Sequence, residues 1–150
     1  MKTFRKLLLI LGGFALLTSF QSGPLKKTFS LTIKVENLRN DTGVVQFALY
    51  NREGTIPDKK FEQYYKIAVS KIDNERAEFT FSDLPPGRYA VNILHDENEN
   101  GKIDKGLILP KEGIGFSNYE KIGLTNRPRF SKASFEHTSN STKFIKIIYL

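Results

Sequence analysis

The feature that most constrains the fold is an alternation of apolar and polar residues with a period of two. It is clearest over residues 29–35, where Phe29, Leu31, Ile33 and Val35 are separated by polar residues. Successive side chains of a β-strand point to opposite faces, so this alternation predicts a strand with one buried face and one solvated face. Helical periodicity is almost absent from the rest of the chain, which indicates an all-β protein.

The same reasoning predicts about seven short strands. They cover residues 29–35, 44–50, 65–69, 77–81, 89–93, 130–135 and 144–150. The first two are expected to form a hairpin through turn residues 40–43, and one short helical turn is expected over residues 59–64. Short strands between regular turn signals favour an antiparallel β-sandwich, immunoglobulin-like or transthyretin-like, with a closed barrel as the alternative. We predict a single domain over residues 28–150.

Residues 1–22 have the layout of a secretory signal peptide. Lys2, Arg5 and Lys6 precede an apolar run over residues 7–17, and a small or polar segment follows. The apolar run is shorter than the roughly 20 residues that a membrane-spanning helix needs, so we expect cleavage and no stable membrane span afterwards. The protein is therefore expected to be exported to the periplasm or to the extracellular space.

Charge and cysteine content narrow the partners and the compartment. Three of the 23 basic residues lie in the signal segment, so 20 basic and 16 acidic residues remain, with a net charge of +4. These basic residues are scattered and not clustered with aromatic residues, which argues against a nucleic-acid partner. The absence of cysteine excludes disulfides and favours a bacterial envelope protein over a small animal secreted domain.

The run HDENENGKID, residues 95–104, contains the pattern D-x-N-x-N-G-x-x-D. Oxygen-bearing side chains at this spacing, with a glycine at the sharp turn, are typical of calcium loops. The predicted ligands are the side chains of Asp96, Asn98, Asn100 and Asp104 and the carbonyl oxygen of Lys102. We expect weak affinity, in the range of about 10⁻⁴–10⁻³ M that extracellular calcium modules show.

This loop departs from an EF-hand in two ways. Leu107 stands where a bidentate glutamate is expected, and no helix is predicted on either side. Glu112, in the glycine-rich segment 106–118, is the predicted source of the missing carboxylate, with water as the alternative. The non-functional interpretation is an exposed turn whose Asp and Asn side chains bond their own backbone.

Three runs of sequence carry a resemblance to a known family: FTFSDLPPGRYAV at 79–91, HDENENGKID at 95–104 and PKEGIGFSN at 110–118. With the segments at 44–50 and 128–150, they make most of the chain after the signal segment similar to the exported bacterial family catalogued as domain of unknown function 2141. The resemblance implies a secreted or periplasmic β-sandwich. The family has no assigned activity, so no catalytic residue is implied.

Other chemistry is weakly indicated. With only His95 and His137 and no cysteine, a zinc site of ordinary composition is disfavoured, and His95 is better explained as a strand-end residue bonded to a neighbouring loop. The segment 112–118 matches neither a phosphate loop nor a nucleophile elbow. Its glycines are expected to let the backbone pack against the acidic loop, with Phe116 as an anchor.

We therefore predict an exported, non-enzymatic β-sandwich in which calcium orders a surface for an unidentified protein or glycan partner. The alternative is a small envelope enzyme acting on carbohydrate through paired carboxylates, Asp96 with Asp104 or Glu97 with Glu112. Exposed aromatic residues would then stack on sugar rings. The candidates for this role are Tyr50, Tyr64, Tyr65 and Tyr119, although most of them are expected to pack within strands.

Overall fold

The computed structural model describes residues 26–107, 110–123 and 125–150. The predicted signal peptide lies outside these residues. Within them, the chain forms eight strands and one short helix. The elements are β1 Phe29–Val35, β2 Val44–Tyr50, β3 Lys66–Lys71, β4 Ala77–Leu84, β5 Gly87–Asp96, β6 Gly113–Phe116, α1 Phe130–Ala133, β7 Phe135–His137 and β8 Ser141–Phe144.

The strands form two sheets, so the predicted all-β sandwich is confirmed. The smaller sheet has the order β4-β1-β8, with β1 antiparallel to β4 and parallel to β8. The larger sheet has the order β3-β2-β5-β6, and β7 pairs with the beginning of β5. All pairings in the larger sheet are antiparallel.

The predicted hairpin between the first two strands is wrong. β1 and β2 belong to different sheets, and residues 36–43 carry the chain from one sheet to the other. Turn residues and alternation identify where strands begin and end, but the choice of strand partner depends on which faces must be buried. In a sandwich, β1 and β2 both bury their apolar faces between the sheets. They do so because the chain crosses from one sheet to the other after β1, and not because the two strands pair.

The alternating residues form the core between the two sheets. Leu31, Ile33 and Val35 from β1 are at most 1% exposed and pack against Val45, Phe47 and Leu49 from β2 in one cluster. Burying such side chains stabilises a fold by about 1.5–3 kcal/mol each. This core therefore holds the two sheets together without disulfides.

A second core covers the outer face of the larger sheet. Tyr50 and Leu94 project from β2 and β5 on this face, and irregular segments of the chain pack over them through residues such as Phe61, Tyr119 and Phe130. Because β5 is covered on both faces, eight of its ten residues are buried. The sequence pattern predicted one buried face and one solvated face for a strand of this kind. β5 differs from that prediction because the second core covers its other face.

Three local predictions differ from the structure. Residues 130–133 form a helix where a strand was predicted, because Phe130 and Ala133, three residues apart, both face the outer core. The expected helical turn at 59–64 is not formed. The last strand, β8, ends at Phe144, although buried Ile145 and Ile147 keep the predicted alternation.

Candidate metal site

The predicted calcium loop lies at one end of the sandwich, between the end of β5 at Asp96 and the start of β6 at Gly113. The loop between β1 and β2 packs against it. A Cβ atom on Gly43 would lie 2.1 Å from the Asp96 carbonyl oxygen, so only glycine lets the two segments approach this closely. The site is therefore built from two loops that the sandwich brings together.

Asp96 organises the first half of the loop. Its side chain is buried, and its two carboxylate oxygens accept hydrogen bonds from the backbone N–H of Asn100 at 3.1 Å and of Gly101 at 2.7 Å. Asn98 Oδ1 accepts from the N–H of Asn100 at 3.2 Å, and Asn100 Oδ1 accepts from that of Lys102 at 3.0 Å. Gly101, with φ of 75°, makes the sharp turn that this pattern needs.

Asp104 closes the loop from its other end. Its Oδ2 accepts from Asn98 Nδ2 at 2.5 Å and from Asn100 Nδ2 at 2.9 Å. Hydrogen bonds thus connect Asp96, Asn98, Asn100 and Asp104. The alternative interpretation from the sequence, an Asx-rich turn, accounts for the bonds from backbone N–H groups to Asp96, Asn98 and Asn100. It does not account for the side-chain bonds that Asn98 and Asn100 donate to Asp104.

Glu112 ties both ends of the loop to the following strand. Its Oε1 accepts from the N–H of Glu97, and its Oε2 accepts from the N–H of Asp104, both at 3.1 Å. The residue is 3% exposed, and this burial raises the pKa of its carboxyl. Two backbone donors oppose the rise, whereas the charges of Asp96 and Asp104 add to it.

Glu97 points away from this cluster and pairs with Arg39. Arg39 Nε donates to Glu97 Oε1 at 2.8 Å, and Arg39 Nη2 donates to Glu97 Oε2. These bonds from Arg39, with one from Asn40, lower the pKa of Glu97 to about 2. Arg39 also donates to the carbonyl of Lys111 at 3.1 Å, so one guanidinium connects three segments.

Tyr149 completes the contacts beneath the loop. Its hydroxyl accepts from the Arg39 N–H at 3.0 Å and lies 2.8 Å from His95 Nδ1, while His95 Nε2 lies 2.9 Å from the Thr42 carbonyl. A carbonyl only accepts, so Nε2 carries a proton, and in the neutral imidazole Nδ1 accepts from the tyrosine hydroxyl. His95 is thus a buried strand-end residue bonded to a neighbouring loop.

The structure connects the predicted ligands Asp96, Asn98, Asn100, Asp104 and Glu112, and Lys102 joins them through its N–H. No group of three His, Cys, Asp or Glu side chains within the described residues is placed to hold a metal ion. A cation here would depend on carboxamide and carbonyl oxygens as well. The sequence pattern did not identify Arg39 and Tyr149 as site residues. They lie 58 and 54 residues from the partners they bond, Glu97 and His95.

Two further expectations are corrected. Gly113 pairs with His95 at the start of the acidic run, but the space that Gly113 and Gly115 leave open is filled by the C-terminal segment, with Tyr149 and the Lys146 carbonyl close to where their Cβ atoms would lie. Phe116 is buried in the outer core, as expected of an anchor. Of the tyrosines expected to be exposed, Tyr50 and Tyr119 are buried, and Tyr64 and Tyr65 are 42% and 40% exposed.

In the described ranges, no helix is both long and apolar enough to cross a bilayer. Fold and site define a two-sheet β-sandwich with an oxygen-rich loop at one end. A family model described as "Uncharacterized protein conserved in bacteria (DUF2141)" matches residues 33–145, and the chain belongs to this family. No curated protein and no solved structure matches the chain.

Proposed function

We propose that the protein is an exported, non-enzymatic β-sandwich in which Ca²⁺ binds the 96–104 loop and orders a surface for a protein or glycan partner. The observation that carries the proposal is the set of hydrogen bonds by which Asp96, Asn98 and Asn100 accept from the loop's own backbone. Such bonds fix side-chain oxygens at alternate positions, which is how calcium loops present their ligands. The ion's role would be structural.

Electrostatics support a divalent cation at this place. Asp96 and Glu112 are nearly buried, and the charges of Asp96 and Asp104 both raise the pKa of Glu112. Carboxylates held together at low exposure repel one another, and a bound cation removes that repulsion. We expect Ca²⁺ rather than a transition metal, because the donors are all oxygens.

Cation binding would change the contacts of Asp104. Its Oδ2 now accepts from the amide nitrogens of Asn98 and Asn100. A cation between these three residues would replace the two N–H donors, and Asn98 and Asn100 would bind it through the Oδ1 atoms that now accept from the loop backbone. Glu112 would keep the loop ends in place through Glu97 and Asp104, and could add a carboxylate oxygen.

Calorimetry on the chain of residues 26–150 tests the proposal. This chain contains every strand of both sheets and both cores. We expect one site with a dissociation constant of about 10⁻⁴–10⁻³ M, weakened at least about tenfold by Asp104→Asn. Glu99→Gln is the matched control, because Glu99 is an exposed carboxylate of the same loop. No saturable calcium heat, or equal affinities for the two variants, would refute the site.

The surface to be ordered is formed by the described loop residues, 97–107 and 110–112. A bound ion would also raise folding stability, by about 1.4 kcal/mol at a calcium concentration ten times the dissociation constant. Carbohydrate hydrolysis stays the alternative prediction. It requires two carboxyl groups facing a substrate, and hydrolysis of a chromogenic glycoside that is lost in Asp104→Asn would establish it.

A further inference from the structure

In the described part of the 96–112 region, the exposed charged side chains are mostly basic, whereas the buried ones are acidic. Asp96 and Glu112 are 2% and 3% exposed, and Glu97 is paired with Arg39. Lys102, Lys105 and Lys111 are exposed. Asp96 and Glu112 are therefore turned into the protein and matched by N–H donors, whereas the three lysines are exposed together with one carboxylate, that of Glu99.

An apolar residue stands among these lysines. The chain reverses direction between Lys105 and Pro110, which form an antiparallel bridge, and the Lys111 N–H donates to the Asp104 carbonyl at 2.9 Å. Leu107, in this reversal, is 106% exposed, the highest value among the exposed large apolar residues of the described chain. A fully exposed leucine gains free energy from any apolar environment that covers it.

We infer that Lys102, Lys105, Leu107 and Lys111, together called the lysine–leucine surface, dock the protein on a bilayer that contains anionic lipids. Lysines near such a bilayer are attracted by the negative surface potential, by about 1 kcal/mol per residue, or about a fivefold gain each. A projecting leucine can enter the boundary between headgroups and acyl chains, as apolar residues of interfacial segments do.

The shape of the surface favours a bilayer over a folded protein partner. A stable protein interface buries about 1,200–2,000 Å² in a closely complementary fit. Leu107 is instead fully exposed, and Lys102, Lys105 and Lys111 form no ion pair within the described part of the chain. A fluid bilayer accepts a single projecting side chain and mobile cations without a matching pocket.

Docking does not require the cation of the proposed function. The three lysines and Leu107 are exposed without it, and bound Ca²⁺ would add two positive charges beside them. Vesicle binding measured in a chelator therefore tests the surface alone, and its failure leaves the calcium site untouched. Failure of calcium binding likewise leaves the docking surface untouched.

Co-sedimentation with vesicles tests the inference, using residues 26–150 so that the apolar N-terminal run does not contribute. Vesicles of phosphatidylcholine alone are compared with vesicles of phosphatidylcholine and phosphatidylglycerol, both in chelator. We expect a clear preference for the anionic vesicles that high salt removes. We expect Leu107→Ser to lower the partition coefficient about tenfold and Lys105→Gln to lower it about fivefold.

Phe144→Ser is the matched control. Phe144 is 68% exposed and also lies between lysines in the sequence, but on the edge strand β8 of the smaller sheet. This variant should bind within about twofold of the unchanged protein, since Phe144 belongs to the smaller sheet and lies outside the lysine–leucine surface. Equal binding to both kinds of vesicle, no effect of Leu107→Ser, or an equal effect of Phe144→Ser would each overturn the inference.

Discussion

Replacing Gly115 by alanine should destabilise the fold through the C-terminal segment. A Cβ atom at this position would lie 2.4 Å from the Lys146 carbonyl oxygen and 2.8 Å from Ile93 Cγ1. Ordinary contacts begin near 3.4 Å, so the backbone of the C-terminal segment would have to move by about 1 Å. Overpacking of this kind costs about 1–3 kcal/mol. Reduced entropy of the unfolded chain returns about 0.4–1 kcal/mol, which leaves a net loss of about 1–2 kcal/mol.

Urea unfolding of the chain of residues 26–150, followed by circular dichroism, measures this loss. Gly123→Ala is the control, because a Cβ atom on Gly123 meets nothing within 4 Å. We expect the midpoint of Gly115→Ala to fall by roughly 1 M for a slope of about 1–3 kcal/mol/M, and that of Gly123→Ala to stay or rise slightly. Equal midpoints for the two variants would refute the packing of the C-terminal segment against β6.

Three further changes test other parts of the structure. Burial raises the pKa of Tyr50 above its ordinary 10.0, so this side chain ionises first in the unfolded chain, and the free energy of unfolding should fall as the pH rises above 10. In alkaline unfolding, Tyr50→Phe should reduce this fall, whereas Tyr64→Phe, at an exposed tyrosine, should not. Tyr149→Phe removes the hydroxyl that bonds His95 and Arg39 and should cost about 1–3 kcal/mol in thermal unfolding; an unchanged midpoint would contradict those bonds. Asn92 is fully buried, and neither polar atom of its side chain has a hydrogen-bond partner within the described residues. Asn92→Leu should therefore leave the free energy of unfolding unchanged or raise it, and a loss above about 1 kcal/mol in urea unfolding would contradict this.

The sequence predicted strands well where a single physical cause decides them. Residues 29–35 alternate because one face of β1 is buried and the other is solvated, and the observed strand has the predicted bounds. Residues 44–50 also match the predicted bounds, because their β-branched and aromatic residues suit a buried strand. Local patterns carry this information without reference to the rest of the fold.

Strand partners and the second core were not predictable in the same way. The pairing of β1 with β8 joins residues more than a hundred positions apart, and nothing in either segment specifies the other. Phe130 and Ala133 follow helical spacing only because a layer of loops covers the larger sheet. Tyr50 was expected at the surface for the same reason, since an aromatic residue at a strand end carries no local sign of burial.

The candidate site was predictable in its local part and not in its long-range part. Spacing alone placed Asp96, Asn98 and Asn100 in one loop, and they are joined there through bonds to the loop's own backbone. Glu112 was predicted from proximity in the sequence, and it bonds both ends of the loop. Arg39 reaches the site only through the fold, so no spacing rule could find it.

The most direct test of the calcium proposal is a titration of the ¹⁵N-labelled chain of residues 26–150 with Ca²⁺, followed by the backbone amide signals. We predict saturable shifts concentrated at Asn100, Gly101, Lys102 and Asp104, whose N–H groups donate to the proposed ligand residues. Signals of β1 and β4, in the other sheet, should stay in place. Shifts that are absent, that do not saturate, or that spread evenly over the surface acidic residues would contradict a calcium site in this loop.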